Sequence, residues 1–145
     1  MSLLLLVSVA YGRLFVDGPE SFNSVFSDQD GEIPVQYANF GHVPYGQTLI
    51  AKIVYDESDP TGCHKMKHSM DKEDDEKERV IYLLEHSRSN CSFVQQTRNV
   101  EKHGGSMALI IDAYEKEDIM KVTLSDDGTG AGIRIPAMLI SKSDG

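Results

Sequence analysis

Between Val80 and Asp112 the sequence runs from an apolar stretch, through an amphipathic one, to a second apolar stretch, and this order leaves few folds open. Val80-Ile81-Tyr82-Leu83-Leu84 reads as a buried strand. Ser92-Phe93-Val94-Gln95 fits a capping box, in which the Ser hydroxyl accepts from an orphan backbone amide and Gln95 reaches back. Phe93, Val94, Thr97 and Val100 then recur at helical spacing and give one apolar stripe. His103 ends the pattern, and Gly104-Gly105 supplies the left-handed residue that stops a helix. Met107 to Ile111 is a second strand with Asp112 at its tip. A strand–helix–strand unit of this length implies two parallel neighbouring strands joined by a right-handed crossover. The chain therefore reads as α/β, built on a sheet with at least one parallel pair.

Around this unit the elements are shorter. Leu49 to Tyr55, rich in β-branched and aromatic residues, is predicted to be a strand. Arg13 to Val16, Phe22 and Val25-Phe26 read as short strands broken by Gly18-Pro19. Ser27 to Glu32 is a polar turn; it opens like a calcium loop but lacks the later ligands and the bidentate Glu. Pro34, Gly41, Pro44 and Gly46 punctuate the next stretch too often for a long element. Asp71 to Arg79 has six acidic and three basic residues and no apolar one, so it reads as a solvated, mobile excursion. Asp126 to Gly132 is expected to be a flexible loop. Ile133 to Ile140 is a last apolar run, and Pro136 within it places part of the run at an edge or bulge. Ser141 to Gly145 looks like the approach to a further helix.

A length of 145 residues fits one domain with a core of its own, and no internal repeat is present. The net charge of −9 argues against nucleic acid and against anionic lipid as partners, since both need clustered Lys and Arg. Leu3 to Ala10 is too short to span a bilayer, which needs roughly 20 apolar residues. It matches the hydrophobic region of a secretory signal peptide, and Ser8-Val9-Ala10 has the form of a cleavage site. A buried first strand is the alternative. The two cysteines, Cys63 and Cys91, are free thiols if the chain is cytosolic and suggest a bridge if it is secreted.

Signs of catalytic chemistry are few. Gly128, Gly130 and Gly132 lead into an apolar run rather than a helix, and no Gly-Lys-Ser/Thr follows, which argues against a phosphate-cradling loop. Neither a Gly-x-Ser-x-Gly elbow nor a His-Glu-x-x-His helix occurs. His64 and His68 lie beside Cys63, but their spacing fits no strong zinc pattern, so neither a metal nor a cofactor is expected. Asn90-Cys91-Ser92 matches an N-glycosylation sequon.

Several ordered motifs carry a resemblance. Val80 to Glu85 is followed by Arg88-Ser89-Asn90-Cys91-Ser92-Phe93, by Thr97-Arg98-Asn99-Val100 and by His103-Gly104-Gly105. This series resembles the signature of the protease-associated (PA) domain family. Ile133-Arg134-Ile135-Pro136-Ala137-Met138-Leu139-Ile140 is similar to the family's late strand. Ala38-Asn39-Phe40-Gly41, Pro44-Tyr45-Gly46 and Gly62-Cys63 are similar to the PA domains of plant vacuolar sorting receptors. His103-Gly104-Gly105 and the small size are similar to secreted glycoproteins made almost solely of this domain. The family's Arg-Gly is Arg88-Ser89 in this chain, and the turn between Glu85 and Cys91 is longer.

The resemblance implies a β-rich α/β fold: an open barrel or sandwich of mixed strands flanked by a few short helices. With residues 1–12 read as a signal remnant, it implies a PA domain from 13 to 145, shortened at its closing helix and strand. It also implies a Cys63–Cys91 bridge. In the sorting receptors the arginine-bearing turn is part of the cargo-peptide groove. Carried over, Arg88 would hydrogen-bond the peptide, Ser89 and Asn90 would offer polar groups, and Asp126, Asp127, Gly128 and Thr129 would face the same groove and close on it. The implied protein is a non-catalytic binder of peptide or protein cargo in the secretory lumen, the endosome or vacuole, or outside the cell. The alternative is an accessory lid or spacer beside a protease or a membrane ubiquitin ligase.

Overall fold

A computed structural model describes residues 13–15, 32–44, 46–64, 66, 79–86, 91–113 and 124–145. The signal-like residues 1–12, the strands read at Phe22 and Val25-Phe26, and the acidic residues 71–78 lie outside the described residues. The strands are β1 (Arg13–Phe15), β2 (Glu32–Pro34), β3 (Gln36–Tyr37), β4 (Lys52–Tyr55), β5 (Val80–His86), β6 (Met107–Asp112) and β7 (Ala137–Ile140), with helix α1 (Phe93–Lys102) between β5 and β6.

A five-stranded sheet runs in the order β3-β7-β6-β5-β4. Strands β4, β5, β6 and β7 are mutually parallel, and only β3 is antiparallel to its neighbour. The parallel β5–β6 pair with α1 between them is the unit expected from Val80 to Asp112. Both faces of this sheet are covered, which is why β5, β6 and β7 read as unbroken apolar runs rather than as alternating ones. On one face, Val94 and Val100 of α1 pack with Tyr82, Leu84, Ala108, Ile110 and Leu139. On the other, Leu14 and Ile33 of the antiparallel β1–β2 pair pack with Ile81, Leu109, Met138 and Ile140. Each side chain of this size contributes roughly 1.5–3 kcal/mol when fully buried. The strand-rich, mixed architecture is the expected fold class.

Three local expectations change. The strand read at Leu49 starts only at Lys52, whose amide donates to the Arg79 carbonyl at 2.9 Å. The last strand starts at Ala137 rather than Ile133, and it lies inside the sheet between β3 and β6, not at an edge. Pro136 immediately precedes it. That position needs no donor, and its carbonyl still accepts from Ala108 N at 3.1 Å. The capping box forms only half. Ser92 Oγ accepts from Gln95 N at 3.2 Å, but the Gln95 side chain points down the helix and donates to Asn99 Oδ1 at 3.2 Å. The helix exit is as expected. Gly104 has φ +83°, its amide donates to Glu101 O, and that of Gly105 donates to Val100 O, closing a Schellman motif.

Gly105 is required for a second reason: a Cβ there would lie 2.4 Å from Val100 Cγ1 and 2.8 Å from Tyr82 Cδ2. Both neighbours belong to the buried core. Gly105→Ala is therefore expected to lower unfolding free energy by about 1–3 kcal/mol, read as a lower urea midpoint at unchanged slope.

Candidate functional site

Because β4, β5 and β6 are parallel, their C-terminal ends, at Tyr55, His86 and Asp112, lie at one end of the sheet. In open α/β sheets this is the end where ligands bind. The segments after β4, the start of α1 and the 124–132 loop assemble there.

Gln96 organises the first part. Its side-chain Nε2 donates to Thr61 O at 2.7 Å and to Glu85 O at 3.0 Å. With both amide hydrogens committed to carbonyls, Oε1 can only accept, so the His86 Nδ1 at 2.8 Å carries the proton. The His86 ring stacks on Phe93, with centroids 3.9 Å apart. One turn on, Asn99 Nδ2 donates to Gly62 O at 2.7 Å. The two buried amides thus seat the 59–63 segment against the helix. The Cys63–Cys91 disulfide fastens the same segment to the helix entry, and Cys91 N lies 3.2 Å from Cys63 Sγ.

Asp59 holds the inner end of that segment. Its carboxylate accepts from the Thr61 hydroxyl at 2.9 Å and from His64 N at 2.8 Å, and the His64 ring lies 3.5 Å away. Burial acts to raise its pKa. The His64 amide, the Thr61 hydroxyl and the His64 ring together outweigh burial and hold it below the usual value. At the end of β4, the Tyr55 hydroxyl donates to Glu85 Oε1 at 2.6 Å. That bond, with burial and the charges of Glu85 and Glu57, pushes the phenol up to about 12.

The second part is the 124–132 loop, expected to be flexible, which carries a set of hydrogen bonds. Asp126 N donates to Asn39 Oδ1 at 2.8 Å, and Asp126 Oδ1 accepts from Gly128 N at 2.9 Å and Gly130 N at 2.8 Å. A Cβ at residue 130 would lie 2.8 Å from that carboxyl group, so glycine allows the turn to close. Asp127 accepts from the Thr129 hydroxyl and amide, and from Ser92 Oγ at 2.5 Å. The Ser92 hydroxyl comes first among the bonds that lower the Asp127 pKa, followed by Thr129. Arg98 reaches across from α1 to the carbonyls of Thr129 and Ala131.

Of the residues singled out in the sequence, Asp126, Asp127, Gly128 and Thr129 therefore stand beside the helix entry, with Asp127 joined to Ser92. Arg88, Ser89 and Asn90 lie outside the described residues, between His86 and Cys91. His68 also lies outside them. The disulfide removes both thiols as metal ligands, and His64 faces Asp59. Among the described residues no group of three or more His, Cys, Asp or Glu side chains could hold a metal ion. Sequence reasoning missed Gln96, Arg98 and the second bond of Ser92. A polar pair three apart, Gln96 and Asn99, flanking the apolar stripe was the available signal.

Comparison with known proteins bears on this geometry. The family model of the PA domain matches residues 49–145. The chain belongs to the PA domain family. Vacuolar-sorting receptor 7 of Arabidopsis thaliana is 29% identical over 123 residues, covering 82% of this chain and 18% of the receptor. Signal peptide peptidase-like 3 of Arabidopsis thaliana is 34% identical over 58 residues, covering 40% of this chain and 10% of that protein. The PA-domain chain thus spans less than a fifth of the length of these relatives. Among its described residues no helix is long and apolar enough to cross a membrane.

Two measurements check the site. Because the folded pKa of Asp59 is depressed, its carboxylate adds stability above the unfolded value, and that stability is lost as pH falls through the folded value. Asp59→Asn should be less stable than wild type by about 1–2 kcal/mol at neutral pH. Denaturation at stepped pH should show the difference shrinking below about pH 4. Ser92→Ala removes both the helix cap and the Asp127 bond, so hydrogen exchange should speed up at the Thr129 amide as well as in the first turn of α1; an unchanged Thr129 rate would mean that Ser92 does not hold the loop.

Proposed function

We propose that this PA domain, read as residues 13–145, is a non-catalytic module that binds an extended peptide at the C-terminal end of its parallel strands. The observation that carries the reading is the Ser92–Asp127 hydrogen bond. It ties the loop bearing Asp126 to Thr129 to Ser92, the helix cap that directly follows Cys91 and lies four positions after Arg88 in the sequence. The ligand would be a polypeptide whose carbonyls or acidic groups meet the Arg88 guanidinium, a planar fork suited to either. Ser89, Asn90, Gly128 and Thr129 would supply polar and backbone contacts.

The similarity to a vacuolar-sorting receptor supports peptide cargo as the ligand and the secretory or vacuolar lumen as the location. A disulfide is compatible with that oxidising route. The shorter similarity to a signal peptide peptidase-like protein supports a second reading, an accessory domain beside a protease.

Binding of the chain to an immobilised peptide library, followed by affinity measurement on the selected peptides, separates the two. Arg88→Ala should weaken binding at least about tenfold, the loss of a charge-assisted bond, with an unchanged thermal midpoint. Equal affinity for the variant would remove Arg88 from the site. Failure of the wild-type chain to select any peptide would favour the accessory role.

A further inference from the structure

Strand β4 is an outer strand of the five-stranded sheet. Its parallel register with β5, and the bond from Lys52 N to Arg79 O, turn the backbone groups of Lys52 and Val54 inward. Backbone groups alternate along a strand, so those of Ile53 and Tyr55 face away from β5. Among the described residues no backbone hydrogen bond reaches them. The side chains along this edge are apolar and exposed: Ile53 is 46% and Tyr55 41% accessible. They lie on the face of the second core layer, continuing the row of Ile81 and Leu83. Open apolar edges are association sites unless they are guarded, most often by lysine.

We propose that the β4 edge is a self-association surface, on which a second copy of the chain pairs antiparallel about Val54. The sequence of the edge selects this occupant. Lys52-Ile53-Val54-Tyr55-Asp56 is self-complementary when reversed on itself. Ile53 falls opposite Tyr55 of the second copy, which brings together the two residues whose backbone groups face outward, so each pair exchanges both hydrogen bonds. Lys52 falls opposite Asp56 of the second copy, on both sides of the two-fold axis. Lys52 is exposed, and no ion pair engages it among the described residues. Asp56 is held at the strand end by Ser58 N at 2.9 Å and Ser58 Oγ at 2.6 Å. Sliding the strands by two residues either way puts Val54 opposite Lys52 or Asp56, so the charges also fix the register. The lysine that guards the edge against other strands is thus satisfied by its own copy.

The paired segment is five residues long, well short of the roughly 1,200–2,000 Å² of a stable interface. Association is therefore weak, concentration-dependent and sensitive to salt. The edge shares Tyr55 with the strand ends of the candidate site, but it uses outward backbone groups of β4 that the peptide reading does not use, and neither proposal depends on the other.

Sedimentation equilibrium of the 145-residue chain, from about 10 µM to about 1 mM, tests it. Wild type should show a reversible monomer–dimer equilibrium. Lys52→Glu and Asp56→Lys should each be monomeric, because each sets like charges opposite one another. An equimolar mixture of the two variants should recover the dimer. Far-UV circular dichroism verifies the fold of each; if Asp56→Lys fails to fold, loss of the dimer in folded Lys52→Glu decides the matter. A wild type that stays monomeric throughout, as it would if the edge took a strand from a different protein, overturns the proposal. So does a dimer that survives charge reversal.

Discussion

The hydrogen bonding of the buried Gln96 amide is the interaction on which the strand-end region of this domain depends. The amide sits on the inner side of α1 and satisfies two main-chain carbonyls, from Thr61 and Glu85, while accepting from His86. Each bond contributes only about 0.5–1.5 kcal/mol net, but either carbonyl left without a donor costs about 1–3 kcal/mol. The disulfide acts on the same segment differently. It closes a separation of 28 residues, which chain entropy values at about 3–4 kcal/mol, but it restricts distance without fixing orientation. The amides of Gln96 and Asn99 supply the orientation. Covalent and polar restraints are thus divided between the two, and the helix entry is held by both.

The strand–helix–strand core was legible in the sequence because its signals agree. Apolar runs, a capping serine and a glycine pair all point to one arrangement, as they do where local preference and global fold coincide. The short strands β2 and β3 were not legible. Glu32–Pro34 and Gln36–Tyr37 are three- and two-residue pieces separated by Val35, and pairing with distant partners, not local pattern, makes them strands. The late strand was placed too early because Ile133 and Ile135 are apolar for a different reason. They pack on the core from outside the sheet, below Gly41, whose φ of +73° brings it close to Ile135 O.

The site was legible in part. The cysteine pair and the residues Asp126 to Thr129 stood out by type and by family resemblance, but the hydrogen bonds that hold their loop did not. Glycines at 128, 130 and 132 suggest freedom when read singly. In the fold, Asp126 and Asp127 each spend a carboxylate on the loop's own amides, and the glycine at 130 allows that tight turn to close. Gln96 was hidden for the opposite reason. A glutamine on a helix is ordinarily solvated, and only the tertiary arrangement of two carbonyls calls for one to be buried.

Arg98 has a consequence that reaches beyond stability. It grips the loop through the main-chain oxygens of Thr129 and Ala131, and the turn is stitched by the backbone amides of residues 128 to 130. These anchors do not read the side chain at position 131 at all. At 128, where a Cβ would meet nothing within 4 Å, only the positive φ restricts the choice. Holding is thereby divided: main-chain oxygens meet the helix, while the side chains of Asp126, Asp127 and Thr129 close the turn, so freedom to substitute is left at Ala131 rather than along the whole loop.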